Sequence, residues 1–335
     1  MSGELRKSVR ARARCRVDFG GGTLDIWPLG LFFAGAQTVN VALDVLVEVT
    51  LTPRDTGYRL RSDGGVVEAA SADELAADRE GALAGVVAAA LGLPPVDIEV
   101  RSASPRGGGL GASSAMTVAL IAAGDRLLAR PQREAPVTAR LARDLEARLM
   151  RLPTGTQDHY PALLGGGLVV AFTAGGETVR RLGVDLDALE RHLLLVYTGH
   201  SHFSAATNWE IIRRCLEADP EVHGLLQGIA DVAAALPAPL ERGDFAAVGA
   251  LVGREWELRR RLADGVTVPI VDRLLARASE LGAWGGKACG AGGGGCVAIL
   301  APAERRDAIA AALVAEGGVV VAAKPTSTGL ELEEL

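Results

Sequence analysis

A glycine-rich stretch, PRGGGLGASSAMT at residues 105–117, is the feature that most constrains how this chain can fold. It follows a β-rich segment and precedes the apolar run AMTVALIAA, which predicts a helix with Ser113 and Ser114 near its first turn. Glycines adopt backbone conformations closed to other residues and let N–H groups approach an anion. A helix start adds unpaired donors and the positive end of the helix dipole. Two interpretations remain open at this point: a phosphate-binding loop, or a tight turn with an ordinary serine cap.

Hydrophobic periodicity indicates strands and helices along the whole chain. Strict alternation in VRARARCRV, residues 9–17, predicts a half-buried strand with its arginines on the polar face. A basic tail for an acidic partner is the alternative, which the regular alternation disfavours. Strands and helices are interspersed without a regular βαβ rhythm, so we expect an α+β fold. Further strands are predicted at 39–51, 58–61, 97–100, 168–172, 193–199, 295–300 and 319–323, and helices at 73–91, 115–129, 138–150, 204–217, 222–235, 244–263 and 303–316.

Composition argues against several classes of partner. Apolar residues make up 49% and charged residues 23% of the 335 residues, which favours a folded protein with a sizeable core. A net charge of −6 and only 4% aromatic residues disfavour nucleic acid and anionic membranes as partners. No apolar run is long enough to span a bilayer, and no signal-peptide pattern follows the arginine-rich N terminus. The four cysteines form no C-x-x-C pair, so we predict reduced thiols in a cytoplasmic protein.

Two other stretches accompany the glycine-rich loop, RVDFGGGTLDIWP at 16–28 and GKACGAGGGGC at 286–296. In order and spacing, the three together resemble the motifs of the GHMP kinase family, which includes galactokinase, homoserine kinase, mevalonate kinase and phosphomevalonate kinase. Four shorter stretches are similar to its sugar-kinase branch, that of fucokinase and D-glycero-D-manno-heptose 7-phosphate kinase. They are GGGTLD (20–25), GLGASS (109–114), TGTQDHY (154–160) and LLLVYTGHS (193–201).

The resemblance implies a two-domain α+β fold with the active site in the cleft between the domains. The N-terminal domain would span residues 1–175 and carry the nucleotide loop and the catalytic aspartate. The C-terminal domain, 176–335, would be ferredoxin-like and lie on the substrate side. The implied reaction is direct transfer of the γ-phosphoryl group of ATP, with Mg²⁺, to a hydroxyl of a sugar or sugar phosphate.

Two alternative functions remain open beside this one. The first is a kinase of a non-sugar alcohol of the amino-acid or isoprenoid type, which GGGTLD together with TGTQD disfavours. The second is a non-catalytic sensor that binds nucleotide or sugar. An intact Asp158, Arg16 and glycine loop disfavour the sensor, because a binding protein needs no base.

The catalytic roles follow from the resemblance. Asp158 occupies the family's catalytic aspartate position and would accept the proton of the substrate hydroxyl. The alternative is a turn aspartate that caps the backbone of Tyr160. Arg16 corresponds to the arginine that precedes the first motif in galactokinase-like members, where it would pair with the base and help to neutralise the transferred group. Its alternative is one more arginine on the solvated face of the strand.

The resemblance also predicts which residues hold the nucleotide and the metal. The residues expected around the ATP phosphates are Pro105, Gly107, Gly108, Gly109, Leu110, Gly111, Ala112, Ser113 and Ser114. A serine of this loop would bind Mg²⁺, and ungapped counting favours Ser113 over Ser114. Glu146 is the expected acidic ligand and Asp144 its rival, although either is alternatively a solvated helix carboxylate.

Asp25 matches the aspartate that binds sugar hydroxyls in related kinases, and its two oxygens suit a vicinal diol. The other residues expected on the substrate side are Gly22, Thr23, Thr198, Gly199, Ser201, Gly292, Gly293 and Gly294. Lys287 is a candidate charge partner for the phosphoryl group, with a surface lysine as the alternative. Trp27 and the apolar segment after it are interpreted as a pocket wall or lid, or as core. His159 replaces the glutamine usual in the branch, and such departures concern the substrate more than the reaction type.

Overall fold

A computed structural model describes residues 8–200 and 205–335 of the chain. Within that part the chain forms twelve strands, twelve α-helices and one 3₁₀ turn at Leu29–Leu31. The strands are β1 (Val9–Gly20), β2 (Gln37–Pro53), β3 (Tyr58–Ser62), β4 (Gly65–Ala69), β5 (Val96–Ser102), β6 (Gly167–Thr173), β7 (Gly176–Leu182), β8 (Leu193–Tyr197), β9 (Gly285–Ala288), β10 (Cys296–Leu300), β11 (Val319–Val320) and β12 (Glu331–Glu334). The helices are α1 (Ala72–Ala77), α2 (Ala82–Leu91), α3 (Ala112–Leu127), α4 (Ala135–Met150), α5 (His159–Leu164), α6 (Leu186–His192), α7 (Ala205–Leu216), α8 (Pro220–Ala235), α9 (Pro237–Arg242), α10 (Phe245–Arg259), α11 (Pro269–Glu280) and α12 (Ala303–Ala315).

The strands form two sheets. The larger has the order β12-β1-β2-β5-β3-β4, and the β6–β7 hairpin adds to it where β6 pairs with the start of β2. The smaller is antiparallel with the order β11-β8-β10-β9. This mixture of two sheets and interspersed helices confirms the expected α+β class. The division into domains at 175/176 stays a prediction; β7 and β12, which follow that point, pair within the larger sheet.

The strand predicted at 9–17 is confirmed and continues to Gly20. Its polar face is less solvated than the alternation suggests, because Arg14 and Arg16 are buried. β1 is an inner strand between β2 and β12, and carboxylates from other segments cover these guanidinium groups; Arg14, for example, donates to Glu331. The register between β1 and β2 also shifts between Arg14 and Arg16, and such irregularities re-aim side chains.

Two predicted helices differ from the observed ones. The helix expected at 73–91 is divided into α1 and α2, because the carboxylate of Asp78 accepts hydrogen bonds from the backbone N–H groups of Glu80 and Gly81 and stops α1. The helix expected at 244–263 ends at Arg259. None of the helices in the described part of the chain is both long and apolar enough to cross a membrane.

Three apolar clusters position the site. The largest joins the larger sheet to α2 and α3, and another joins the smaller sheet to α11 and α12. The third holds the segment after Asp25, where Leu29 and Phe33 pack with residues of α7 and α8. Trp27 in the same segment is 69% exposed. The segment is therefore core at Leu29 and Phe33 and surface at Trp27.

Candidate active site

One cavity of about 490 Å³ lies where the end of β1, the loop before α3, the loop before α5 and the loop before β10 meet. The predicted base and the predicted nucleotide loop both line it. Of the site residues predicted from sequence, its lining includes Arg16, Thr23, Asp25, Pro105, Gly107, Gly108, Gly109, Leu110, Gly111, Ala112, Ser113, Ser114 and Asp158.

The start of α3 is open toward this cavity. Its N-cap residue is Gly111, in the left-handed conformation at φ +75°, and no side chain of the described residues caps the helix. Ser113 and Ser114 therefore lie inside the first turn instead of acting as the cap. An uncapped first turn leaves N–H donors for an anion, together with the positive end of the dipole. This geometry favours the phosphate-binding loop over the turn with a serine cap.

The loop before α3 also packs closely against the loop before β10. A methyl group on Gly109 would stand 2.5 Å from the carbonyl oxygen of Cys289, a distance that side-chain carbon atoms do not tolerate. The backbone N–H of Cys296 donates to the carbonyl of Gly108 at 2.8 Å. The bare backbone at 107–111 therefore allows close contact between the two loops.

Arg16 joins this loop to the predicted base. Its Nε and Nη2 lie 2.8 and 2.6 Å from Oδ1 of Asp158, and Nη1 donates to the carbonyl of Gly109 at 2.6 Å. Burial by itself would lower the pKa of Arg16, but Asp158 and Asp18 outweigh it and raise that pKa, so the guanidinium stays charged. Asp158 is the N-cap residue of α5, yet its side chain caps nothing there. Among the described residues, nothing donates to its second oxygen, Oδ2, which remains able to accept a proton.

Asp25 faces Asp158 from the opposite loop and is 7% exposed. Its Oδ2 accepts the backbone N–H of Gln157 at 3.1 Å. Burial, and then the negative charge of Asp158, raise the pKa of Asp25 to about 6. Gly155 makes this approach feasible, since a methyl group there would stand 1.7 Å from the same oxygen. The first motif and the TGTQD loop are thus fitted to each other at this carboxylate.

Three oxygen-bearing side chains and a histidine meet beside the start of α3. Ser114 donates to Oε2 of Glu146 at 3.1 Å, Thr117 donates to Oε1 at 2.8 Å, and His159 Nε2 lies 3.4 Å from Oε2. Both Ser114 and Glu146 are buried, whereas Ser113 is exposed. Asp144 is also exposed and pairs with its neighbour Arg143.

Hydroxyl and carboxylate oxygens are ligands that Mg²⁺ accepts, usually together with waters and substrate phosphates. The pair Ser114–Glu146 therefore fits this ion next to the phosphate-binding turn. Ungapped counting had favoured Ser113, but the direction of successive side chains on the helix turns Ser114 toward α4.

Several residues predicted for the substrate side do not line the cavity. Thr198 is buried and donates to the carbonyl of His200, and Gly199 lies beside it. The backbone at Gly292–Gly294 packs on Val266 and His200, and the cavity is instead lined by Gly290 and Ala291. Ser201 lies outside the described residues.

Gly22 and Lys287 make contacts behind the cavity. The carbonyl of Gly22 accepts a hydrogen bond from Arg259. Lys287 is fully buried and paired with Asp18 and Glu255, so the alternative of a surface lysine is wrong; it also lies outside the lining of the cavity.

Other lining residues were missed at the sequence level. Further lining residues come from β3 and the turn after it, from β5 and the loop after it, from the turn before α2, and from α3 and α4, which no motif marks. They are Leu60, Ser62, Asp63, Glu80, Val100, Ser102, Ser104, Met116 and Met150. Asn208 of α7 also lines the cavity. Only the tertiary fold brings these segments to the loop at 105–111.

Comparison with known proteins adds an independent line of evidence. A model described as the GHMP kinases N terminal domain matches residues 79–166, and one described as GHMP kinases C terminal matches residues 234–319. The chain is 30% identical to a mevalonate kinase of Methanothermobacter thermautotrophicus over 65% of this chain and 68% of the relative. It is 26% identical to a D-glycero-alpha-D-manno-heptose 7-phosphate kinase of Campylobacter jejuni over 64% of each.

Among solved structures, the fold is similar to that of a D-glycero-D-manno-heptose 1-phosphate kinase from Bacteroides thetaiotaomicron. The TM-score is 0.76 at 22% identity, with 98% of this chain and 99% of that chain covered. At this identity the likeness shows the fold alone, and it confirms the overall architecture expected from the motifs.

Proposed function

Because the chain belongs to the GHMP kinase family, we propose that it is an ATP-dependent kinase that phosphorylates a hydroxyl of a sugar or sugar phosphate. Members of the family are kinases that use ATP as phosphate donor. The observation that carries the proposal is the single cavity shared by the open start of α3 and by Asp158, with Arg16 in contact with both loops.

The arrangement supports in-line phosphoryl transfer. The uncapped turn at Gly111 would hold the β- and γ-phosphates, and Ser114 with Glu146 would hold Mg²⁺, which neutralises phosphate charge when bound. Asp158 accepts the proton of the acceptor hydroxyl on Oδ2, since Oδ1 is occupied by Arg16. The guanidinium of Arg16 orients the base and places positive charge near the transferred group.

Asp25 supports an acceptor with several hydroxyls. Its buried carboxylate lines the same cavity as Asp158, and two carboxyl oxygens can accept a pair of neighbouring hydroxyls. A kinase of a non-sugar alcohol is the second candidate, favoured by the 30% identity to a mevalonate kinase and by the apolar side chain of Ile26 in the cavity wall.

The test is turnover of ATP, with Mg²⁺, over a panel of free hexoses and heptoses, their phosphates, mevalonate and homoserine. ADP release gives the rate and ³¹P NMR identifies the phosphomonoester. We expect turnover with a sugar or sugar phosphate, and Asp158→Asn should reduce kcat by about 10²–10⁴-fold. Binding of a non-hydrolysable ATP analogue should be retained in this variant.

A matched control is Asp307→Asn, at a side chain that is 96% exposed on α12, which should behave as wild type. Turnover with mevalonate alone would establish the second candidate. Nucleotide or sugar binding without turnover of any acceptor would refute the kinase and indicate a sensor.

A further inference from the structure

A continuous line of buried charged side chains runs behind the acceptor side of the cavity. Its members are Arg16, Asp18, Lys287, Glu255 and Arg259, none of them more than 2% exposed. Arg16 Nη1 lies 3.6 Å from Oδ1 of Asp18. Lys287 Nζ lies 2.6 Å from Oδ2 of Asp18 and 3.2 Å from Oε2 of Glu255. Arg259 Nη2 lies 2.6 Å from Oε1 of Glu255. Positive and negative groups alternate along the line.

One end of this line holds the turn that presents Asp25. Arg259 donates from Nη1 to Oγ1 of Thr23 at 3.0 Å and from Nη2 to the carbonyl of Gly22 at 2.8 Å. Thr23 has φ +74°, in the left-handed region that β-branched residues avoid. Such a conformation persists only where the surroundings over-determine it. Arg259, itself paired with Glu255, is the charged side chain that contacts this turn at both Gly22 and Thr23.

The other end reaches the parts of the site that handle the phosphoryl group. Asp18 Oδ1 accepts the backbone N–H of Gly290 at 3.0 Å, and Gly290 lines the cavity. Arg16 holds Asp158 directly. The line of charges therefore connects the acceptor turn, the loop before β10 and the base, which come from distant parts of the sequence.

Buried charge pairs are weak evidence for a purely stabilising role. A buried ion pair is often replaceable by well-packed apolar side chains without loss of stability. Burial would raise the pKa of Asp18, but Lys287, Arg16 and Arg259 outweigh it and hold that pKa below its ordinary value. Four of these charged residues lie outside the lining of the cavity, namely Asp18, Lys287, Glu255 and Arg259. They can therefore affect a ligand only by positioning the residues that they contact.

We propose that Arg259, aligned by Glu255, is a positioning residue that sets the Gly22–Thr23 turn and thereby the place of Asp25 in the acceptor site. The proposal rests on the proposed kinase function for its kinetic test. Arg259 forms its hydrogen bonds with Glu255, Thr23 and Gly22 and none with the described residues of the loop at 105–111 or with Asp158, so its loss should affect acceptor binding more than nucleotide binding.

The kinetic test compares Arg259→Met and Arg259→Lys with Arg260→Met. Arg260 is the next residue along, is half-buried and pairs with Asp272 at 2.8 Å, so it is a matched control. Arg259→Met should raise KM for the best wild-type acceptor about tenfold or more, because the turn that carries Asp25 loses both of its charge-assisted hydrogen bonds. KM for ATP should change less than about twofold, and Arg259→Lys should recover part of the acceptor KM, since an ammonium still donates.

Thr23→Val supplies a second variant that leaves every charge in place. If Arg259 acts through this turn, the two effects are not additive, and the double variant should have the acceptor KM of Arg259→Met alone. Additive effects would overturn the proposal. An acceptor KM for Arg259→Met equal to that of Arg260→Met would also overturn it. Equal rises in the KM values for acceptor and ATP would overturn it as well, because they indicate general disruption of the site. If Arg259→Met does not fold, the cycle is measured with Arg259→Lys.

A crystal structure of the Arg259 variant separates this proposal from the proposed function. Loss of the positive φ at Thr23, or displacement of Asp25, supports the positioning role even if no acceptor is turned over. An unchanged turn in the variant overturns it. Absence of turnover in the wild-type protein, by contrast, refutes the kinase and leaves the structural comparison intact.

Discussion

Asp25→Asn should make this protein more stable and a poorer enzyme at the same time. Burial and the nearby charge of Asp158 raise the pKa of Asp25 to about 6, against 3.8 for the free side chain. The difference is about two units, and each unit corresponds to about 1.4 kcal/mol. An ionised Asp25 therefore lowers the free energy of unfolding by about 3 kcal/mol relative to the protonated form.

The direction of the pH dependence follows from which state binds the proton more tightly. The folded pKa of Asp25 is the higher one, so the stability that protonation provides is fully present below pH 3.8. It declines as the pH rises, and above about pH 6 the loss is complete. Asparagine carries no charge at any pH, so the variant avoids this loss. We expect the free energy of unfolding of Asp25→Asn to exceed that of wild type by about 3 kcal/mol at pH 8 and by roughly half as much at pH 5.

Urea denaturation followed by tryptophan fluorescence at pH 5, 6, 7 and 8 measures this difference. The control Asp307→Asn, at an almost fully exposed carboxylate, should show no such trend. Steady-state kinetics on the same samples should show a higher acceptor KM for Asp25→Asn, since one carboxylate acceptor is lost. A stability difference that is independent of pH, or one that favours wild type at pH 8, would refute the argument that the fold destabilises the ionised form of Asp25.

Two further predictions concern the start of α3. Gly111→Ala should reduce turnover strongly, because its methyl group would lie 3.2 Å from the Asp158 carboxylate. The control Gly243→Ala has a similar positive φ, +69°, but open space around it, so it should lower stability only. Kinetics and urea denaturation of both variants separate the effect of backbone strain from that of contact with Asp158. Ser114→Ala should raise the Mg²⁺ concentration for half-maximal turnover about ten- to hundredfold. Ser113→Ala should raise this Mg²⁺ concentration less. Equal shifts for the two variants in a Mg²⁺ titration would contradict the proposal that Ser114, next to Glu146, is the metal ligand.

Much of the fold was accessible from local patterns. Period-two alternation located β1, and apolar periodicity located α3 and α4 to within a few residues. The short helix α5, the hairpin partner β7 and the terminal strand β12 were missed, since each is too short or too polar to carry a periodic signal of its own. β7 and β12 form because the larger sheet offers them unpaired edges, which is a tertiary effect.

The candidate site, like the fold, could be predicted from the sequence only in part. Motif resemblance pointed to Arg16, Asp25, Asp158 and Glu146, and the structure brings the first three to one cavity, with Glu146 behind Ser114. The structure does not place Gly292–Gly294 there, because the loop turns back onto Val266 after Ala291.

From residue order alone one could read the glycine-rich loop and the strand–loop–helix context around it, because these depend on residue types at short, fixed spacings. The roles of Asp158 and Arg16 came from motif resemblance and stay a prediction, although the two side chains are in contact. Only the tertiary structure decided that Ser114 faces Glu146, that Lys287 is sequestered, and that Arg259 holds the turn before Asp25. These outcomes depend on the direction of a side chain and on which segments, more than two hundred residues apart, share one buried space. Neither quantity is encoded in a local window, since both arise when the sheets and helices pack.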